Sequence, residues 1–158
     1  MAQTLWDKEL SFELETDCAL RAEFGSDYAL VRDYLKKLTD CGCAPVLRGE
    51  ASIASGQSKA KLLEGIKTIQ EFRATVNENI LHAETSILRA SWKNLLFHGQ
   101  LYSLMLEYYL SVAAGAPDTA KLASIDELVC SQEWATQSVF DTFLFQHTFK
   151  NNILRKLR

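Results

Sequence analysis

Residues 59–90 read KAKLLEGIKTIQEFRATVNENILHAETSILRA, and this stretch decides the fold. Leu62, Ile66, Ile69, Val76, Ile80, Ala83, Ile87 and Ala90 recur by threes and fours, and Arg73 is the one polar residue in that register. Such spacing lays a single apolar stripe along a helix. Leu63 and Phe72 widen the stripe, and the chain has no proline between Pro45 and Pro117. The pattern predicts a long amphipathic helix near residues 59–91, its apolar stripe from Leu62 to Ala90 spanning about eight turns at 3.6 residues per turn. A helix of that kind packs as one arm of a bundle, or against its twin in a dimer.

Downstream the pattern changes. Leu95, Leu96, Phe97, Leu101, Tyr102, Leu104, Met105, Leu106, Tyr108, Tyr109 and Leu110 cover most of the helix circumference. A helix apolar on all sides sits at the centre of a fold or at an interface. His98, Gln100 and Glu107 lie within it, so it reads as a buried helix and not as a membrane span. Gly99 is read as a bend between the two helices, and Gly115-Ala116-Pro117-Asp118 as a stop. A short helix over about 119–130 and a last one over 132–157 follow. On the last, Phe140, Phe143, Leu144, His147, Lys150, Asn151 and Leu154 mark one face, which leaves Phe145 off it and in need of another cover.

Upstream, Tyr28, Val31, Leu35 and Leu38 form an apolar stripe, with Ser26 or Asp27 as the helix cap and Gly42 and Pro45 after its end. Residues 42–58 read as a connector. The opening segment fits two periods: Leu10, Phe12 and Leu14 alternate as in a strand, while Leu5, Trp6, Glu9, Leu10, Glu13 and Leu14 fit a helix face. The expected architecture is all-α, one domain over residues 1–158, a bundle of about five helices with one long central amphipathic helix. The alternative is a small α+β fold in which residues 9–16 pair with part of the connector as a short N-terminal β pair.

Composition narrows the function classes. The chain has 158 residues, 47% of them hydrophobic and 23% charged, which is a globular balance. The net charge of −3 argues against a general nucleic-acid binder. Charge is uneven: residues 107–141 carry six acids against Lys121, whereas the tail, residues 150–158, carries Lys150, Arg155, Lys156 and Arg158 and no acid. Cations at the end of a last helix complement its dipole, or they dock on an acidic partner. Asp7 and Glu9 interrupt any apolar start that a secretory signal would need. With four cysteines and no such signal, the expected compartment is the cytoplasm, with free thiols.

Chemistry-bearing motifs are sparse. Di-iron bundles repeat a Glu-x-x-His spacing on two helices. Here Glu78 and His82 are four apart and have no second copy. His82, His98 and His147 are weak metal candidates, and Cys41-Gly42-Cys43 lacks a second thiol or imidazole pair nearby in sequence. No Gly-x-Ser-x-Gly and no phosphate-cradling glycine loop occurs. The leading expectation is therefore a non-catalytic helical interaction module, an adaptor, regulator or assembly factor that self-associates and needs no cofactor. Phe145, Phe149, Arg155, Lys156 and Arg158 are its candidate contact residues. The second reading is a bundle that holds a small apolar or aromatic ligand among Phe97, Tyr102, Tyr109, Trp134 and Phe143. A His-based metalloprotein and a nucleic-acid binder using the basic tail rank below these.

Overall fold

The computed structural model describes residues 11–43, 45, 50, 52–53 and 55–149. Among these described residues six α-helices follow in order: α1 (Phe12–Phe24), α2 (Tyr28–Asp40), α3 (Gly56–His82), α4 (Ser86–Ala113), α5 (Thr119–Thr136) and α6 (Thr142–Thr148). The fold is an all-α bundle with no strand among the described residues. Residues 12–16, which the α+β alternative places in a strand, are the first turns of α1.

α1 and α2 are joined by a 3-10 turn, Gly25–Asp27. Gly25 closes α1 at φ 56°, a left-handed conformation that glycine adopts without steric penalty. Arg21 on α1 donates to the Tyr28 hydroxyl (2.5 Å), with its guanidinium carbon 3.9 Å from the ring centroid. Arg32 on α2 reaches back to Asp17 on α1 at 3.0 Å. α2 buries Val31 and Leu38 of the stripe read from spacing, together with Tyr34, which lay outside it, while Tyr28 and Leu35 are half-buried.

The long amphipathic helix of residues 59–91 is present as α3, but it ends at His82. Residues 86–91 open the next helix. Two local features override the continuous apolar pattern. Ala83 leaves the helix at ψ 118°, and the Thr85 hydroxyl accepts the Leu88 amide at 3.1 Å, which caps α4. Arg89 then donates to the Ile80 and Ala83 carbonyls, supplying partners at the end of α3. Ile87, which continues the stripe in sequence, is consequently 72% exposed.

α3 and α4 pack against each other more extensively than any other pair, as an αα-hairpin. The hydrophobic centre belongs to α4, as its all-round apolar sequence requires. α1, α3 and α5 all contact it. Trp92, Leu106 and Tyr109 are fully buried, and Trp92 meets the edge of Phe24 with ring centroids 5.0 Å apart. Gly99 does not bend the helix: α4 runs through it unbroken, and the missing side chain admits Ile69 and Tyr34 instead.

The C-terminal helices differ most from expectation. α5 continues past Cys130 to Thr136, and α6 starts at Thr142 after its own cap, the Asp141 carboxylate accepting the Leu144 amide at 2.8 Å. Its inward face is reversed. Phe145 is half-buried and Phe149 is buried, their rings stacked at 5.4 Å, while Phe143 and Leu144 face solvent. The cover that Phe145 needs comes from Phe140 and Phe149 of the same chain. Among the described residues no helix is long and apolar enough to cross a membrane.

Candidate functional site

The five aromatic residues read as one ligand site do not share one environment. Phe97 and Tyr109 are closed inside the core, and Phe97 packs edge-on against Phe140 at 5.2 Å. Tyr102 is half-buried and stacks with His98 at 5.6 Å. Trp134 and Phe143 lie at the surface, 85% and 80% exposed. The histidines are spread over three helices: His82 ends α3, His98 lies mid-way along α4, and His147 lies on α6 beside Phe143. No group of three or more His, Cys, Asp or Glu side chains among the described residues is placed to hold a metal ion. His98 keeps an exposed edge on α4, and partial desolvation of its ring pushes its pKa below the usual value.

The two cysteines of Cys41-Gly42-Cys43 differ in environment. The Cys43 thiol is fully buried, donates to the Lys61 carbonyl, and is pushed by burial up to about 11. A thiol so raised is a poor nucleophile and a poor metal ligand at neutral pH. Cys41 is half-buried, with its sulfur 3.8 Å from the Thr68 hydroxyl.

Two features stand out as candidate sites. The first is the corner between α5 and α6. α5 buries Ile125, Val129 and Thr136. Trp134 lies two residues before Thr136, about 200° around the axis at 3.6 residues per turn, so it must point away from the core. The turn that follows is tied by the Val139 and Phe140 amides, both donating to the Thr136 carbonyl. That turn sends Phe140 inward onto Phe97 and leaves Val139 61% exposed. Of the ten large apolar side chains exposed among the described residues, Trp134, Val139, Phe143 and Leu144 all come from this one corner. Of the interaction residues named from sequence, Phe149 is buried in the core and Phe145 half-covered. Arg155, Lys156 and Arg158 lie outside the described residues. The sequence signal for the corner was present in the mismatch between Trp134 and the Ile125/Val129 stripe. It was obscured because α6 was read as part of a longer helix.

The second feature is a slot of about 130 Å³ between α2, α3 and α4. Ile69, Phe72, Val76, Leu95 and Leu96 give it apolar walls, and Tyr34 lies flat on Phe72 with centroids 4.2 Å apart. Its polar groups are Gln70, Arg73, Gln100, Ser103 and Glu107. The Glu107 carboxylate is already engaged, by Lys121 at 2.5 Å and the Ser103 hydroxyl at 3.2 Å. Arg73 forms no ion pair among the described residues. The sequence marked Arg73 as the one polar residue in the α3 stripe, but could not show that it would sit exposed beside a slot formed with α2 and α4.

Comparison with known proteins adds no relative: no family model, no curated protein and no solved structure matches this chain.

Proposed function

We propose that this chain is a non-catalytic helical interaction module of the cytosol, an adaptor, regulator or assembly factor that pairs with a second copy of itself through the α5–α6 corner. The observation that carries this is the outward placement of Trp134, Val139, Phe143 and Leu144 on one helix–turn–helix segment. Large apolar side chains gathered at one place on a surface favour association, and tryptophan is among the commonest residues at the energetic centre of an interface.

Charge favours a second copy as the occupant. Residues 107–141 carry a net charge of −5, and the residues after α6 bring Lys150, Arg155, Lys156 and Arg158. A chain that carries segments of both signs can meet a second copy of itself about a two-fold axis, acid against base on each side. The cytosolic assignment rests on the four free thiols.

Light scattering on size-separated protein tests the pairing. The wild-type chain is expected as a dimer whose dissociation increases with salt. Trp134→Ser, a change at an 85% exposed position, should shift it to monomer without loss of helicity. A wild-type monomer at every concentration, or a dimer indifferent to Trp134→Ser, would overturn the proposal.

A further inference from the structure

The slot between α2, α3 and α4 is independent of the α5–α6 corner and has the makings of a ligand site. Its size comes first. A cavity of about 150 Å³ in another protein holds benzene, so about 130 Å³ accommodates a body close to a six-membered ring. Its chemistry comes next. Tyr34 is 5% exposed and brings a phenol hydroxyl to the slot. That hydroxyl lies against Gly99: a Cβ added there would be 3.6 Å from it and 3.4 Å from Ile69 Cγ2. Tyr34, Gly99 and Ile69 all line the slot, and the absent side chain of Gly99 makes room for the phenol at that wall.

Charge decides the sign of the ligand. Arg73 and Glu107 are the two charged residues of the lining. Glu107 is neutralised by Lys121 on α5, which leaves the Arg73 guanidinium as the uncompensated charge. A guanidinium presents paired donors to a carboxylate in a geometry that fits both oxygens.

We infer that this slot binds a small organic carboxylate whose apolar body is about the size of one ring, with the ring between Phe72 and Leu95 and the carboxylate on Arg73. Gln70 and Gln100 supply further amide donors at the same wall.

Titration of the full-length chain with benzoate, followed by amide chemical shifts, is the test. Saturable binding is expected, with the largest shifts at Ile69, Gly99 and Ser103. Benzyl alcohol, which keeps the ring but not the charge, should bind at least tenfold more weakly. Arg73→Gln should weaken benzoate by roughly tenfold, the scale of one lost charge-assisted contact. The Arg73 position is exposed, so the fold should tolerate the change. Gly99→Ala adds a methyl at ordinary contact distances, so it should fold normally and still weaken benzoate by taking up room in the slot. The inference is overturned by any of three results: no saturable binding, shifts that map elsewhere, or equal affinity of benzoate for wild type and Arg73→Gln.

Discussion

Replacing Gly65 with alanine probes the closest approach of α3 to α4. In an exposed helix interior this substitution stabilises by about 1 kcal/mol, because alanine is the better helix former. At Gly65 the new methyl would lie 2.9 Å from Leu106 Cδ1 and 3.1 Å from the Cys43 sulfur. Both neighbours are fully buried, so neither can swing into solvent to make room. Overpacking of a tight core costs about 1–3 kcal/mol. With the propensity gain subtracted, Gly65→Ala should destabilise the chain by up to about 2 kcal/mol, or up to roughly 8 °C in Tm for a protein of this size. Urea denaturation followed by circular dichroism measures it, with Gly56→Ala as the control, since nothing lies within 4 Å of a Cβ there. The expected order is Gly65→Ala below wild type and Gly56→Ala at or slightly above it. A Gly65→Ala variant more stable than wild type would refute the packing of α3 on α4 described above.

Three further outcomes follow from local chemistry. Thr85→Ala removes the cap that separates α3 from α4 and should cost about 1 kcal/mol, measurable as a fall in the urea midpoint; an unchanged midpoint would mean that the break does not depend on this hydroxyl. The folded state holds the His98 pKa below 6.5 by desolvation, so the unfolded chain takes up that proton first. Stability contributed by neutral His98 is complete above pH 6.5 and is lost as pH falls below it, and His98→Gln should flatten the decline between pH 7 and 5. Tyr34 and Tyr102 are pushed up to about 12 by burial, so their un-ionised state stabilises the fold below pH 10, and that contribution fades as pH rises above 10. Absorbance at 295 nm should show these phenols ionising late, together with loss of helicity, and Tyr34→Phe should remove part of the late step. Early, non-cooperative ionisation of all five tyrosines would contradict the burial.

Much of the bundle was legible because its helices announce themselves by periodicity. The α2 stripe of Val31 and Leu38 and the all-round apolar α4 follow directly from spacing. The boundary at Ala83 was harder to see, since Ala83 and Ile87 extend the α3 register and a single threonine hydroxyl breaks it. Gly99 was read as a bend because glycine weakens helices. Its role is steric, and only the position of α2 reveals that. The reversed face of α6 has the same origin. A seven-residue helix is too short for its own periodicity to choose a side, so Phe140, seated on Phe97, chooses it through Phe145 and Phe149. Candidate sites were less legible than helices, because both depend on which residues neighbouring helices leave uncovered. Trp134 was visible as an aromatic residue, but its exposure depends on the turn at residues 137–141.

Native mass spectrometry of the purified chain, beside the Trp134→Ser/Phe143→Ser double variant, tests self-association most directly. The wild type should fly as a dimer and the double variant as a folded monomer, the two losses together exceeding the factor of about 30 that corresponds to 2 kcal/mol for a single interface anchor. A wild-type monomer, or an equal dimer fraction in both proteins, would contradict pairing through the α5–α6 corner.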